Sequence, residues 1–254
     1  MFIDRYLTMY GEEGRSWLEG FTILRDELRK YWSLSDSKPI TDLSFNYLEY
    51  VTTQNGQKAV LKIGYPHPEL ATEIEPLRFF NGEGADKLID AKPEKGALLL
   101  EQIFPGHKLL TFCDDDNATR IAGQVMTKLW RAAPEGELFP STERWCEGFE
   151  RYQRSFAGEG PIPSDIFQRA WGLAKDLLTA QPEKMLLHGD LHHQNILMDR
   201  DGNWHAIDPK GVIGEKAFEI GPLLHNPIPE LLQVNDVEVL IQRRLEILAE
   251  ITGL

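Results

Sequence analysis

Between residues 14 and 30, apolar side chains fall at Trp17, Leu18, Phe21, Leu24 and Leu28, mostly three or four positions apart. That spacing predicts an amphipathic helix. The period then shortens. Residues 45–53 and 58–63 read as strands, and Gln54-Asn55-Gly56-Gln57 between them predicts a hairpin, because Asn-Gly supplies the positive backbone angles of a tight turn. Pro66 and Pro68 break the chain before a short helix predicted over 69–81, which Gly82-Glu83-Gly84 ends. Further strands are predicted near 86–90 and over 97–103, the second strongly apolar at its start. After Pro105-Gly106 the helical period returns at Ile121, Val125 and Leu129, predicting a helix over 117–133 and others over 141–156, 164–180 and 228–250. A strand-rich first half and a helical second half meet near residue 103. The pattern predicts an α+β chain of two parts, residues 1–103 and 104–254, without internal repeats or low-complexity stretches.

The 254 residues are enough for a substantial core, and 42% hydrophobic with 26% charged residues is ordinary for a globular protein. The formal net charge of -13 argues against nucleic acid or an anionic membrane as partner and is compatible with a cationic small molecule. Cys113 and Cys146 are the only cysteines, so neither a disulfide framework nor a Cys-rich zinc site is expected. The first residues lack a basic segment followed by an apolar stretch, and no run approaches the ~18 apolar residues of a membrane span. A reducing cytoplasm is the expected setting. The sequence does not specify an oligomeric state.

The chemistry is concentrated in His188-Gly189-Asp190-Leu191-His192-His193-Gln194-Asn195-Ile196-Leu197, followed by Ile207-Asp208-Pro209. Asp190 and Asn195 lie five positions apart on a polar loop, and Asp208 comes thirteen residues later. Phosphoryl transfer to an alcohol needs one carboxylate at the acceptor hydroxyl, here Asp190. It also needs oxygen ligands for magnesium on the nucleotide phosphates, here Asn195 and Asp208. The three histidines offer zinc as a rival, but they lack the His-Glu-x-x-His spacing and have no cysteine near them.

These segments, with Gly96-Ala-Leu-Leu-Leu-Glu101, Pro105-Gly106, Ile207-Asp-Pro-Lys-Gly211 and Pro222-Leu-Leu-His-Asn-Pro227, resemble the aminoglycoside/hydroxyurea antibiotic resistance kinases. That family of the protein-kinase-like superfamily includes streptomycin 6-phosphotransferases. The resemblance implies a two-lobed protein-kinase-like fold, with a small antiparallel-sheet N-lobe that binds nucleotide and a mainly helical C-lobe carrying the catalytic and acceptor groups. It implies ATP and Mg2+, with Lys62 on the α and β phosphates and a helix glutamate as its partner, Glu73 in preference to Glu75. Glu101 to Ile103 would meet adenine through the backbone, and His188 would hold the catalytic loop. The implied reaction is transfer of the γ-phosphoryl group to a hydroxyl of an aminoglycoside, with streptomycin the leading candidate. The alternatives are a metabolite kinase acting on a sugar, amino alcohol or choline-like compound, and a nucleotide-binding pseudokinase.

The chain departs from protein kinases in lacking a Gly-x-Gly-x-x-Gly loop, and it has no Walker-type loop either. Thr41, Asp42 and Ser44 remain alternatives for approaching the phosphates. For the acceptor, Asp114-Asp115-Asp116 is a candidate, although an acidic run before a helix reads first as a cap. Glu219 is a weaker candidate. Lys210 reads equally as a phosphate contact or a surface lysine.

Overall fold

The computed structural model describes residues 2–41, 46–112, 114–136, 138–156, 160–179 and 183–254, with side chains of 2–5 and 68–71 excepted. Asp42, Ser44, Phe45 and Cys113 lie outside the described residues. The first half contains α1 (Phe2–Tyr31), β1 (Ser35–Pro39), β2 (Tyr47–Thr52), β3 (Lys58–Ile63), α2 (Pro68–Phe80), β4 (Leu88–Lys92), β5 (Ala97–Glu101) and β6 (Pro105–Lys108). Then follow α3 (Asp115–Leu129), β7 (Arg131–Ala132), α4 (Thr142–Phe156), α5 (Ser164–Thr179) and β8 (Met185–Leu187). The last elements are β9 (Ile196–Asp199), β10 (Trp204–Ala206), β11 (Val212–Gly214), α6 (Ile220–Leu224) and α7 (Val237–Thr252). The chain divides into two units: Met1–Thr111 with Ile196–Asp208, and Phe112–Asn195 with Pro209–Leu254.

In the first unit an antiparallel sheet of order β1-β2-β3-β5-β4 sorts its side chains by alternation. Ala59, Leu61 and Ile63 of β3, with Ala97 and Leu99 of β5, pack with Leu28, Phe21 and Trp17 of α1. The intervening Leu98 and Leu100 face Ile74 and Leu77 of α2, with Val60 beside them. Leu61, Ile63 and Leu98 are fully buried, each side chain contributing on the order of 1.5–3 kcal/mol. Because Lys62 lies between two residues of the α1 face, alternation sends it to the α2 face. The expected hairpin is present: Thr53 N–H donates to Gln57 O and Gly56 N–H to Thr53 O, each at 2.9 Å, with Gly56 at φ 83. The first helix begins well before residue 14 and is kinked at Gly11 (φ 55, ψ -133). A second sheet, order β10-β9-β6, completes the unit, and Ala206 exchanges 2.8 Å bonds with Gly84 and Asp86.

The second unit is mainly helical. Ala122, Val125, Met126 and Leu129 of α3 are buried, as are Ile247 and Leu248 of α7. Gly123 is where these helices meet, since a Cβ there would lie 3.2 Å from Ile251 Cγ2. The helix predicted over 117–133 starts at Asp115 and stops at Leu129, where Trp130 turns extended (φ -60, ψ 119). The acidic run before it has partners of its own. Asp114 accepts from Asn117 N–H at 3.0 Å as the helix cap, and Asp116 pairs with Arg243 at 2.9 Å. Asp115 pairs at 2.5 Å with Arg244, a fully buried guanidinium that also donates to Leu223 O (2.9 Å) and Asn226 O (2.7 Å). The last helix begins at Val237, not 228, because Pro227 and Pro229 interrupt the earlier stretch. Antiparallel sheets and packed helices in separate stretches give the expected α+β class. No described helix is long and apolar enough to cross a membrane.

Candidate active site

Alternation along β3 and the 3.6-residue period of α2 together bring Lys62 and Glu73 into contact. Lys62 Nζ lies 2.6 and 2.8 Å from the two Glu73 carboxylate oxygens and 2.6 Å from Asp208 Oδ1. Both Lys62 and Glu73 are 5% exposed. Glu75, two residues further along the helix, pairs with Arg78 at 2.7 Å instead. Burial works against the ammonium charge, but Asp208 and Glu73 outweigh it and hold Lys62 above the ordinary lysine range. Asp208 has φ 64, a left-handed conformation unusual for a residue with a side chain.

Lys62, Glu73 and Asp208 lie in the wall of a pocket of about 680 Å³, part of it open to solvent. Leu48, Tyr50 and Val60 line it from the sheet, Glu101, Gln102 and Ile103 from the segment after β5, and Leu197 and Ile207 from around the β9–β10 hairpin. All these residues belong to the first unit. Sequence reasoning gave no role to one further wall residue, Asp86. Its carboxyl is buried, and Oδ1 has no hydrogen-bond partner. Burial pushes it up to about 8, and the charge of Glu73 adds to the effect.

In the second unit, Asp190 follows β8, whose Met185, Leu186 and Leu187 are buried between β7 and β11. Gly189 makes the turn at φ 84, and a Cβ there would press on Val212 Cγ1 (3.0 Å) and Trp145 Cη2 (3.2 Å). The loop is held from beneath by Glu219, which is fully buried. Its oxygens accept from His188 N–H at 2.6 Å and Gly189 N–H at 2.9 Å. The acceptor-binding expectation for Glu219 therefore gives way to a positioning one. A buried acid on α6's approach carries no periodic signal, so only long-range geometry reveals it. Burial pushes Glu219 up to about 7, opposed by the two N–H donors and reinforced by Asp190.

His188 Nδ1 accepts from Asp190 N–H at 3.2 Å, while His188 O accepts from Lys210 N–H (2.8 Å) and Gly211 N–H (3.1 Å). Asn195 Nδ2 donates to Asp190 O at 2.9 Å, which fixes the amide and turns Oδ1 the other way. His192 Nδ1 accepts from Gln194 N–H at 3.3 Å. His193 is buried with neither ring nitrogen bonded, and burial, with Arg244 nearby, lowers it to about 4. Among the described residues no group of three or more His, Cys, Asp or Glu side chains is arranged to hold a metal ion.

Residues 31–254 match the profile of the aminoglycoside/hydroxyurea antibiotic resistance kinases. The chain belongs to this family. It is 29% identical over 250 residues to streptomycin 6-kinase of Streptomyces glaucescens, covering 98% of this chain and 81% of the relative. Hydroxyurea phosphotransferase of Kitasatospora aureofaciens is 31% identical over 231 residues, 88% of this chain and 66% of the relative. Among solved structures, choline kinase LicA from Streptococcus pneumoniae superposes with a TM-score of 0.64 at 16% identity, covering 92% of this chain and 80% of that one. The fold of this resistance-kinase family member is thus the two-lobed protein-kinase-like one, and the enzyme is a phosphotransferase acting on a hydroxyl.

Proposed function

We propose that the enzyme transfers the γ-phosphoryl group of ATP to a hydroxyl of a cationic aminoglycoside, with streptomycin the first candidate. The observation that carries the phosphoryl-transfer reading is Lys62, buried between Glu73 and Asp208 in the wall of the pocket. In this reading the first unit takes the nucleotide, with Lys62 turning to the α and β phosphates and the backbone of Glu101 to Ile103 meeting adenine. The second unit supplies Asp190, which orients the acceptor hydroxyl in line and takes up its proton. Asn195 and Asp208 offer amide and carboxylate oxygens, the donors magnesium prefers. Two protein ligands suit an ion that completes its shell with phosphate and water. When bound, the ion would neutralise charge developing on the phosphates.

The relatives' substrates and the net charge of -13 support a cationic acceptor. Consumption of ATP favours a cytoplasmic setting. Similarity to a hydroxyurea phosphotransferase over 88% of the chain favours a second reading, a small neutral hydroxylated acceptor. The test is incubation with magnesium-ATP and a panel of streptomycin, other aminoglycosides, hydroxyurea and hydroxylated metabolites, with mass detection of phosphorylated product. Product from streptomycin establishes the first reading. Product from hydroxyurea or a metabolite alone replaces it, and ATP binding without product on any acceptor leaves the pseudokinase.

A further inference from the structure

Asp86 has no part in the chemistry above, yet the fold carries it to the pocket wall and holds it there. Its N–H donates to Ala206 O at 2.8 Å, and the chain on either side is pinned as well. Gly84 O accepts from Ala206 N–H and Lys87 O from Glu101 N–H, both at 2.8 Å. The carboxyl is 5% exposed and lines the same pocket as Glu101, Gln102 and Ile103. Lys62 does not need it, being already bonded to Glu73 and Asp208 at 2.6 Å. Native proteins leave few buried polar atoms without a partner, and an unmatched carboxyl oxygen on a ligand pocket calls for a partner in the ligand.

Two carboxylates facing one buried cation leave no charge to balance a third. Burial, with the charge of Glu73, accordingly raises Asp86 to about 8. A neutral carboxyl offers one O–H donor and one C=O acceptor side by side. Adenine presents the complementary pair on its N6/N7 edge, an amino donor beside a ring acceptor. Guanine presents two acceptors, O6 and N7, at the same place. We propose that Asp86 reads the N6/N7 edge of adenine and makes the pocket select ATP over GTP. This rests on the reading of the pocket as the nucleotide site.

Calorimetric titration of magnesium-ATP, magnesium-GTP and 7-deaza-ATP (which lacks the N7 acceptor) into wild type, Asp86→Val and Asp86→Asn tests it. Two ordinary hydrogen bonds are worth roughly tenfold or more in affinity. Wild type is therefore expected to bind ATP at least ~10-fold more tightly than GTP. Asp86→Val should lose about that factor for ATP and little for GTP. Asp86→Asn, whose amide keeps a donor beside an acceptor, should stay within about threefold of wild type. The deaza analogue should bind wild type more weakly than ATP and Asp86→Val no more weakly. The midpoint of thermal unfolding of Asp86→Val without nucleotide should equal or exceed wild type, since a buried carboxyl with an unmatched oxygen is removed. ATP binding to wild type with an ATP-to-GTP ratio unchanged in Asp86→Val overturns the role of Asp86 alone. Equal weakening of both nucleotides does the same, because it marks a structural effect. Failure of wild type to bind either nucleotide overturns this proposal together with the nucleotide reading of the pocket.

Discussion

Lys62 in the first unit and Glu219 in the second are both buried ionisable groups with short polar contacts, but they are held by different kinds of partner. Lys62 faces two carboxylates, Glu73 and Asp208. Glu219 faces the backbone N–H groups of His188 and Gly189. Carboxylate contacts can be exchanged, since phosphate or metal can replace one partner in each. A backbone N–H inside a loop has no other employment, so the Glu219 contacts are permanent. One unit carries a movable charge and the other a fixed platform.

In the proposed mechanism the platform presents Asp190, and the largest effect should come from there. Asp190→Asn is expected to reduce kcat by about 10²–10⁴ while the ATP dissociation constant stays within about twofold. Steady-state kinetics and calorimetry check this, and undiminished turnover would remove Asp190 as the base. Lys62→Met breaks the other side of the comparison. It leaves Glu73 and Asp208 without their cation, which should cost about 3–5 kcal/mol of stability at neutral pH in urea unfolding. Weaker ATP binding should accompany that loss. The defect should shrink in acid, where one carboxylate can take a proton. Glu219→Gln keeps one acceptor oxygen and loses the other. A loss of about 1.5–3 kcal/mol is expected, with kcat falling roughly tenfold and ATP affinity unchanged. If ATP affinity fell in step with kcat, the platform would not be separate from the charge.

Much of this layout is legible in the sequence. The Asn55-Gly56 turn and the alternation of Ala59, Leu61 and Ile63 define β3 to the residue. The Asp190, Asn195 and Asp208 spacing is what suggests the proposed chemistry. What escapes is whatever depends on distant pairing. The β6 segment of four residues carries no period of its own and is a strand only because β9 pairs with it. Asp86 reads as one polar residue at a strand end, and nothing local shows that it is buried. The run at Asp114 to Asp116 reads first as a cap, which Asp114 makes with Asn117, but the distant partners Arg244 and Arg243 of Asp115 and Asp116 carry no local signal.

Acidity sharpens the comparison in a different way, through the slope of stability with pH. Asp86 (about 8 against 3.8) and Glu219 (about 7 against 4.5) hold their protons longer folded than unfolded. Their contribution to stability is thus complete in acid and is lost as pH rises through those folded values. Each can tilt stability by up to about 1.4 kcal/mol per pH unit within its window. Asp86→Asn should flatten urea-derived stability between roughly pH 4 and 8, and Glu219→Gln between roughly 4.5 and 7. A slope unchanged in both variants would assign it elsewhere. The smallest effect should come from Asp116→Asn, since its partner Arg243 is 49% exposed. That change is expected to cost under about 1 kcal/mol by the same measurement.

The β9–β10 hairpin belongs to the first unit, yet it lies between two stretches of the second in the chain. A ribosome completing residue 111 has therefore not yet supplied two strands of the first unit, nor the carboxylate of Asp208 that meets Lys62. By the time residue 208 emerges, residues 112–195 are already outside and waiting for their own remainder. The units cannot mature one after the other as beads on a string. Their folding is interleaved, and a fragment ending at residue 111 holds the five-stranded sheet but lacks two of the three strands of the second, so it is not a minimal form of the first unit.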